Sequence, residues 1–77
     1  NRALNMTKQE AKETACLMAI QSGFALIRRD SEIHALHPSG ETALLSQSVK
    51  VDDVWFDALM ALHDQPFIHE FHKKLLH

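Results

Sequence analysis

The spacing of apolar residues changes at Gly23, and this change limits the possible folds more than any other feature of the chain. Before Gly23, apolar and small residues recur every three or four positions, which is the period of one helix face. After Gly23 they alternate every second position, as they do in a strand with one buried face. Because both periods occur within 77 residues, the sequence predicts one small α+β domain spanning residues 1–77.

The first helix has a recognisable start and end. Thr7 and Glu10 form a capping box, in which each side chain accepts a hydrogen bond from the other residue's backbone amide. Gly23 suits the left-handed position that commonly ends a helix. The predicted buried face carries Ala11, Thr14, Ala15, Met18, Ala19 and Ser22, and Leu17 and Ile20 are expected to widen it.

A hairpin is predicted after this helix. Residues 24–29 and 32–37 alternate around Asp30-Ser31, which is a weaker two-residue turn than Asn-Gly. Such a loop places Arg29 opposite Glu32, a favourable charge pair. The face expected to be buried carries Phe24, Leu26, Ile33 and Ala35, with Arg28 and His37 at its ends. The other face mixes Ala25, Ile27 and Leu36 with Arg29, Glu32 and His34.

The rest of the chain is predicted to form a turn, a possible third strand and two helices. Residues 42–46 fit either a third strand or a short helix, and the strand is preferred because an isolated hairpin is marginally stable. Asp52 is the expected N-cap of a helix whose apolar stripe contains Val54, Trp55, Ala58, Leu59 and Leu62. Pro66 begins a last helix with Phe67, Ile68, Phe71, Leu75 and Leu76 on its apolar face. The expected architecture is an N-terminal helix, an antiparallel β-hairpin or three-stranded meander, and two C-terminal helices.

No set of residues matches a known catalytic arrangement, so the domain is expected not to be an enzyme and to need no cofactor. Two glycines are too few for a phosphate-binding loop. Cys16 lies in mid-helix with no adjacent cation, so we interpret it as a small buried apolar residue. We interpret Asp52, Asp53 and Asp57 as an acidic helix start. A weaker alternative is a fragment of an enzyme whose active site needs another chain.

The histidines are numerous but lack the spacing of a metal site. His69 and His72 are three residues apart, whereas the helical zinc-protease motif needs a separation of four. His63 on the preceding helix is a possible third member, but solvent-exposed histidines explain the pattern better. His34 and His37 lie at an odd separation, which sends them to opposite faces of a strand. No metal site is predicted.

The charge balance argues against a nucleic-acid partner. Eight basic and ten acidic side chains give a formal net charge of −2, whereas nucleic-acid-binding domains usually carry a basic excess. The exception is Arg28-Arg29 at the hairpin tip, and a nucleic-acid-binding regulatory module using these two residues is the alternative function. No apolar run approaches the roughly 20 residues that span a bilayer, so no membrane partner is expected. A single cysteine suits a reducing compartment, and we expect a cytoplasmic location.

Apolar surface on the C-terminal helices supports the leading functional prediction. Phe56 and Met60 share one side of a helix whose other side carries Trp55 and Leu59. A domain of this size has difficulty burying both sides, and large apolar patches mark interfaces. We therefore expect a non-enzymatic protein-interaction or regulatory module that self-associates or docks on a larger protein. Its predicted interface residues are Phe56, Met60, Phe67 and Phe71, with Trp55 assigned to the core.

Overall fold

In the computed structural model, the described part of the chain is residues 6–64. Its elements, in chain order, are helix α1 (Lys8–Gln21), strands β1 (Ala25–Arg29), β2 (Glu32–Leu36) and β3 (Thr42–Gln47), a 3-10 turn (Val51–Asp53) and helix α2 (Val54–His63). The strands form one antiparallel sheet in the order β1-β2-β3. The α+β class and the three-stranded meander are therefore confirmed. The helix predicted after Pro66 lies outside the described residues.

Helix α1 begins and ends where the sequence predicts. The Glu10 amide donates to Thr7 Oγ1 over 3.1 Å, and the Thr7 amide donates to Glu10 Oε1 over 2.9 Å, so the capping box is confirmed. At the other end Gly23 has a φ of 96°, and the Phe24 amide donates to the Ala19 carbonyl. This bond belongs to the Schellman motif, in which a left-handed glycine satisfies the last helical carbonyls. The motif turns the chain directly into β1.

Three alanines form the buried line of α1. Ala11, Ala15 and Ala19 have no exposed surface. Leu17 and Ile20, which were expected to widen this face, are 56% and 66% exposed, so that prediction is wrong. The reason is geometric for Leu17, because two residues along a helix correspond to a rotation of about 200° and turn its side chain away from the alanine line.

The hairpin has the predicted register and the predicted buried face. Arg29 lies opposite Glu32, and Asp30 in the turn has a φ of 55°, a left-handed conformation that aspartate tolerates better than most residues. The side of the sheet that faces the helices, called the inner face, carries the buried residues Phe24, Ile33 and Ala35 and the half-buried Leu26.

Strand β3 contains a β-bulge. The register changes from Ile33 opposite Ser46 to His34 opposite Leu44, which leaves Leu45 as the extra residue. Leu45 is buried in the core despite the irregular pairing. The prediction that residues 42–46 form a strand is confirmed, and the alternative prediction of a short helix is wrong.

The start of α2 differs from the prediction. Asp52 lies in the 3-10 turn, where its Oδ1 is 3.2 Å from Lys8 Nζ, and it does not cap the helix. The N-cap is Asp53, whose side chain makes no capping hydrogen bond. The prediction for Asp52 is wrong because the 3-10 turn occupies the position expected for the first turn of α2.

The two helices lie on the inner face and run in the same direction. Lys8 contacts Asp52 and Lys12 lies over Trp55, so the starts of α1 and α2 are at the same end of the domain. Helix α2 packs mainly on β3, and α1 contacts β1 and α2. The predicted stripe of α2 is confirmed at its buried members Val54, Ala58, Leu59 and Leu62.

Two serines near the end of β3 differ in their hydrogen bonding. Ser48 Oγ donates to Asp57 Oδ2 over 2.6 Å, and the Ser48 amide donates to the Ser31 carbonyl over 2.9 Å. Ser48 thus joins the end of β3 to the first turn of α2 and to the hairpin turn. Ser46 Oγ is buried and has no hydrogen-bond partner among residues 6–64, a state that costs stability.

We expect Thr7→Ala to lower the free energy of unfolding by about 1 kcal/mol, because it removes the acceptor that caps α1. Thr14→Ala in the middle of α1 is the matched control and is expected to leave stability unchanged or slightly higher, since alanine is the better helix former. Thermal melts followed by circular dichroism measure both. Equal melting of wild type and Thr7→Ala would show that the capping box does not stabilise the helix.

The two serines provide a second test. Ser48→Ala is expected to destabilise the domain by about 1–2 kcal/mol, because it leaves Asp57 without its donor. Ser46→Ala is expected to be between neutral and about 1 kcal/mol stabilising, because it removes a buried hydroxyl that has no partner in the described part of the chain. Chemical denaturation of the two variants gives the comparison, and the reverse order of stability would contradict this account of β3.

Candidate association surface and basic hollow

The side of the sheet turned away from the helices is called the outer face. Residues directly opposite one another in neighbouring strands lie on the same side of a sheet, so the register assigns nine residues to this face. No other element of residues 6–64 covers it. The nine are Ala25, Ile27, Arg29, Glu32, His34, Leu36, Thr42, Leu44 and Gln47.

The outer face has apolar and polar rows. Ile27 and Leu44 lie on either side of His34 in the middle row across the three strands, and Leu44 is 48% exposed. In the polar row at the hairpin end, Arg29 lies opposite Glu32, whose Oε1 is 2.9 Å from His34 Nε2. The middle row therefore has a histidine at its centre with an apolar residue on each side, and the charged pair lies at the hairpin end of the face.

An apolar recess of about 360 Å³ adjoins the outer face at the C-terminal end of α1. Ala25 and Leu36 line the recess and also belong to the outer face, so the two apolar surfaces are continuous. Ile20, which is exposed, forms part of the recess wall. The full lining is Ile20, Gly23, Phe24, Ala25, Leu36, His37, Pro38 and Gly40.

The helix residues predicted to form an interface have different environments. Met60 is 72% exposed on α2. Phe56 is half-buried against the core, as is Trp55, so the two aromatic residues are not divided into one core and one surface residue as the sequence predicts. Phe67 and Phe71 lie outside the described residues. Of the two predicted interface residues that the structure describes, Met60 is the more accessible.

Arg28 and Arg29 lie on opposite faces of the sheet and do not form one basic tip. Arg29 belongs to the outer face, whereas Arg28 lies opposite the buried Ile33 and on the helix side. Arg28 lines a hollow of about 310 Å³, called the basic hollow, between the starts of the two helices and the hairpin tip. Its lining is Lys8, Gln9, Lys12, Arg28, Val51, Asp52 and Trp55.

Sequence reasoning missed Lys8 and Lys12, which are the companions of Arg28 in the basic hollow. The available signal was their separation of four residues, which places them on the same side of a helix. Lys12 Nζ is 5.8 Å from the centre of the Trp55 ring, within the range of a cation–π contact. Nothing in the sequence indicated that Arg28 would lie near them.

Among residues 6–64, the other candidate residues do not converge on a reactive centre. Asp57 accepts a hydrogen bond from Ser48 and Asp52 pairs with Lys8, while Cys16 is half-buried within α1. Within residues 6–64 no three metal-ligating side chains come together. His63 is exposed at the end of α2, and His69 and His72 lie outside the described residues. None of the helices in the described part is long and apolar enough to cross a bilayer.

The chain gives no significant match to protein-family models, to curated proteins or to solved structures. Its function is therefore inferred from the geometry and chemistry of its own residues.

Proposed function

We propose that this domain is a non-enzymatic module that associates with a second copy of itself through the outer face and the adjoining apolar recess. The supporting observation is that the outer face carries apolar residues on all three strands, around His34, and that one of them, Leu44, is 48% exposed. An antiparallel sheet often leaves one face in water, but that face is then usually polar. Here Ile27, Leu36 and Leu44 lie on it.

The size of the core supports association. The largest fully buried side chains among the described residues are those of Ile33, Val54 and Leu62, while the buried line of α1 consists of alanines. Short chains with a small core often gain stability from oligomerisation. Burying the outer face would add apolar contacts that the helices cannot supply from the inner face.

The polar row favours a second copy over an unrelated partner. Arg29 and Glu32 lie side by side at one end of the outer face. In a twofold symmetric pair the same patch of each copy forms the interface. If residue i of the first copy contacts residue j of the second, then residue j of the first copy also contacts residue i of the second. A row with one cation and one anion is complementary to itself in such a pair, because Arg29 of each copy can face Glu32 of its mate.

The proposed association is weak. Three strands about 4.8 Å apart and five residues about 3.4 Å apart give a face of roughly 240 Å² in projection. Stable interfaces bury about 800 Å² on each partner. Even with the recess included, the contact is at the low end, so the complex should form at micromolar concentrations or above and exchange rapidly.

We propose no enzymatic activity because the side chains that could take part in catalysis either have structural partners or are half-buried. Asp52 pairs with Lys8, Asp57 accepts from Ser48, and Cys16 is half-buried in the middle of α1. Cys16 is also the single cysteine of the chain. A reducing, cytoplasmic compartment suits this composition.

Leu44→Asp in the full chain is expected to abolish self-association, because it replaces an exposed leucine of the outer face with a charged residue. Since Leu44 is already 48% exposed, the fold should lose no more than about 1 kcal/mol. Sedimentation velocity at increasing protein concentration measures association, and circular dichroism melts measure folding. Met60→Asp on α2 is the matched control, because it adds the same charge to an exposed helix position, and it should associate as the wild type does.

The outcomes separate the two candidate surfaces. Loss of association in Met60→Asp but not in Leu44→Asp would place the interface on α2, as the sequence analysis predicted with Phe56 and Met60. A wild type that sediments as a monomer up to millimolar concentration would contradict self-association altogether.

A further inference from the structure

We propose that the basic hollow binds the phosphate group of a nucleotide, either free or within a nucleic-acid strand. The hollow lies at the N-terminal end of α1, whereas the apolar recess lies at its C-terminal end. The proposal is therefore independent of self-association through the outer face. It rests on the charge, the available donors and the aromatic wall of the hollow.

The side chains that line the hollow are more positive than the chain as a whole. Three of them are cations, Lys8, Lys12 and Arg28, and one is a carboxylate, Asp52, so the lining has a formal charge of +2. The whole chain has a formal net charge of −2. A local positive potential in a concave site attracts anions even when the protein is acidic overall.

Arg28 is oriented and has donors to spare. Its Nε donates to the Asp30 carbonyl over 3.0 Å, which holds the guanidinium group at the hairpin tip. Within the described part of the chain, the two terminal nitrogens make no hydrogen bond. Guanidinium donors arranged in a planar fork match the oxygens of a phosphate group, and such charge-assisted bonds are stronger than neutral ones.

The two lysines have partners that a phosphate can replace easily. Lys8 pairs with Asp52 over 3.2 Å, but the two side chains are 60% and 80% exposed. Ion pairs with this exposure contribute little to stability. Lys12 lies over Trp55 at 5.8 Å, and an exposed cation–π contact is also weak. Both ammonium groups can therefore turn toward an anion without a large loss.

Trp55 indicates a nucleotide more than a bare anion. Its half-buried indole lines the hollow. When Lys12 moves to the phosphate, the ring face that it covers becomes available, and nucleic-acid bases stack on aromatic side chains of this kind. The volume of about 310 Å³ lies at the small end of the range of roughly 300–1,000 Å³ for ligand pockets.

Trp55 is the single tryptophan of the chain, so its fluorescence reports directly on the hollow. We would titrate the full chain with adenosine monophosphate, inorganic phosphate and a short single-stranded oligodeoxythymidylate. The expected result is a saturable change in fluorescence with adenosine monophosphate or with the oligonucleotide, which weakens as salt is added because the contacts are ionic.

Adjacent arginines provide the matched comparison. Arg28→Gln should weaken binding about threefold to fivefold, the upper part of the range for one exposed charge contact. Arg29→Gln makes the same change in net charge on the opposite face and should leave the affinity within about twofold of wild type. Asp52→Asn removes the carboxylate that competes for Lys8, so it should tighten binding by a factor similar to the loss in Arg28→Gln. Circular dichroism melts establish that each variant is folded.

Several results would overturn the proposal. Equal losses in Arg28→Gln and Arg29→Gln would show a general charge effect, and weaker binding by Asp52→Asn would show that the carboxylate is not a competitor. The absence of a saturable signal up to millimolar ligand would exclude the site. Inorganic phosphate binding as tightly as adenosine monophosphate would overturn the assignment to a nucleotide.

The probes also distinguish the two sources of the phosphate. An oligonucleotide that binds much more tightly than adenosine monophosphate, with a steeper salt dependence, indicates a strand. Equal affinities indicate a free nucleotide. Either result supports the hollow as the binding site, provided that Arg28→Gln weakens it.

Discussion

The arrangement of the described domain depends on the packing of the buried alanines of α1 against α2 and the inner face of the sheet. Ala11, Ala15 and Ala19 are fully buried and have small side chains, so α1 can lie close to both α2 and the inner face of the sheet. Larger residues at these positions would force the layers apart, and an overfilled core loses stability. The bulk of the core comes instead from residues such as Ile33 and Leu62 on the neighbouring elements.

This close packing determines which surfaces remain available. A narrow buried line leaves Ile20 exposed, where it forms one wall of the apolar recess. With both helices on the inner face, no other element of residues 6–64 packs on the outer face, and its Leu44 stays exposed. Because the helices also start at the same end, Lys12 of α1 meets Trp55 of α2. The two proposed binding surfaces are thus consequences of one helical layer on one side of a three-stranded sheet.

Much of the fold could be predicted because the interactions that define it are local. The capping box joins Thr7 to Glu10 within one helical turn, and Gly23 ends the helix through its own backbone conformation. Arg29 lies opposite Glu32 because a two-residue turn leaves few choices of register. The alternation of side chains along each strand then indicated which residues lie on the inner face and which lie on the outer face. In each case the determining residues are at most a few positions apart.

The sequence by itself determined the order of the elements, the limits of α1 and the buried face of the hairpin, because local spacing and turn geometry specify them. Only the tertiary structure decided between strand and helix for residues 42–46, since a short apolar run fits both and pairing with β2 selects one. It also brought Arg28 to the side chains of Lys8 and Lys12, and Lys8 to Asp52 across 44 residues of chain. Contacts between residues so distant in sequence leave no periodic signal, and they depend on how the packed layers bring separate elements together.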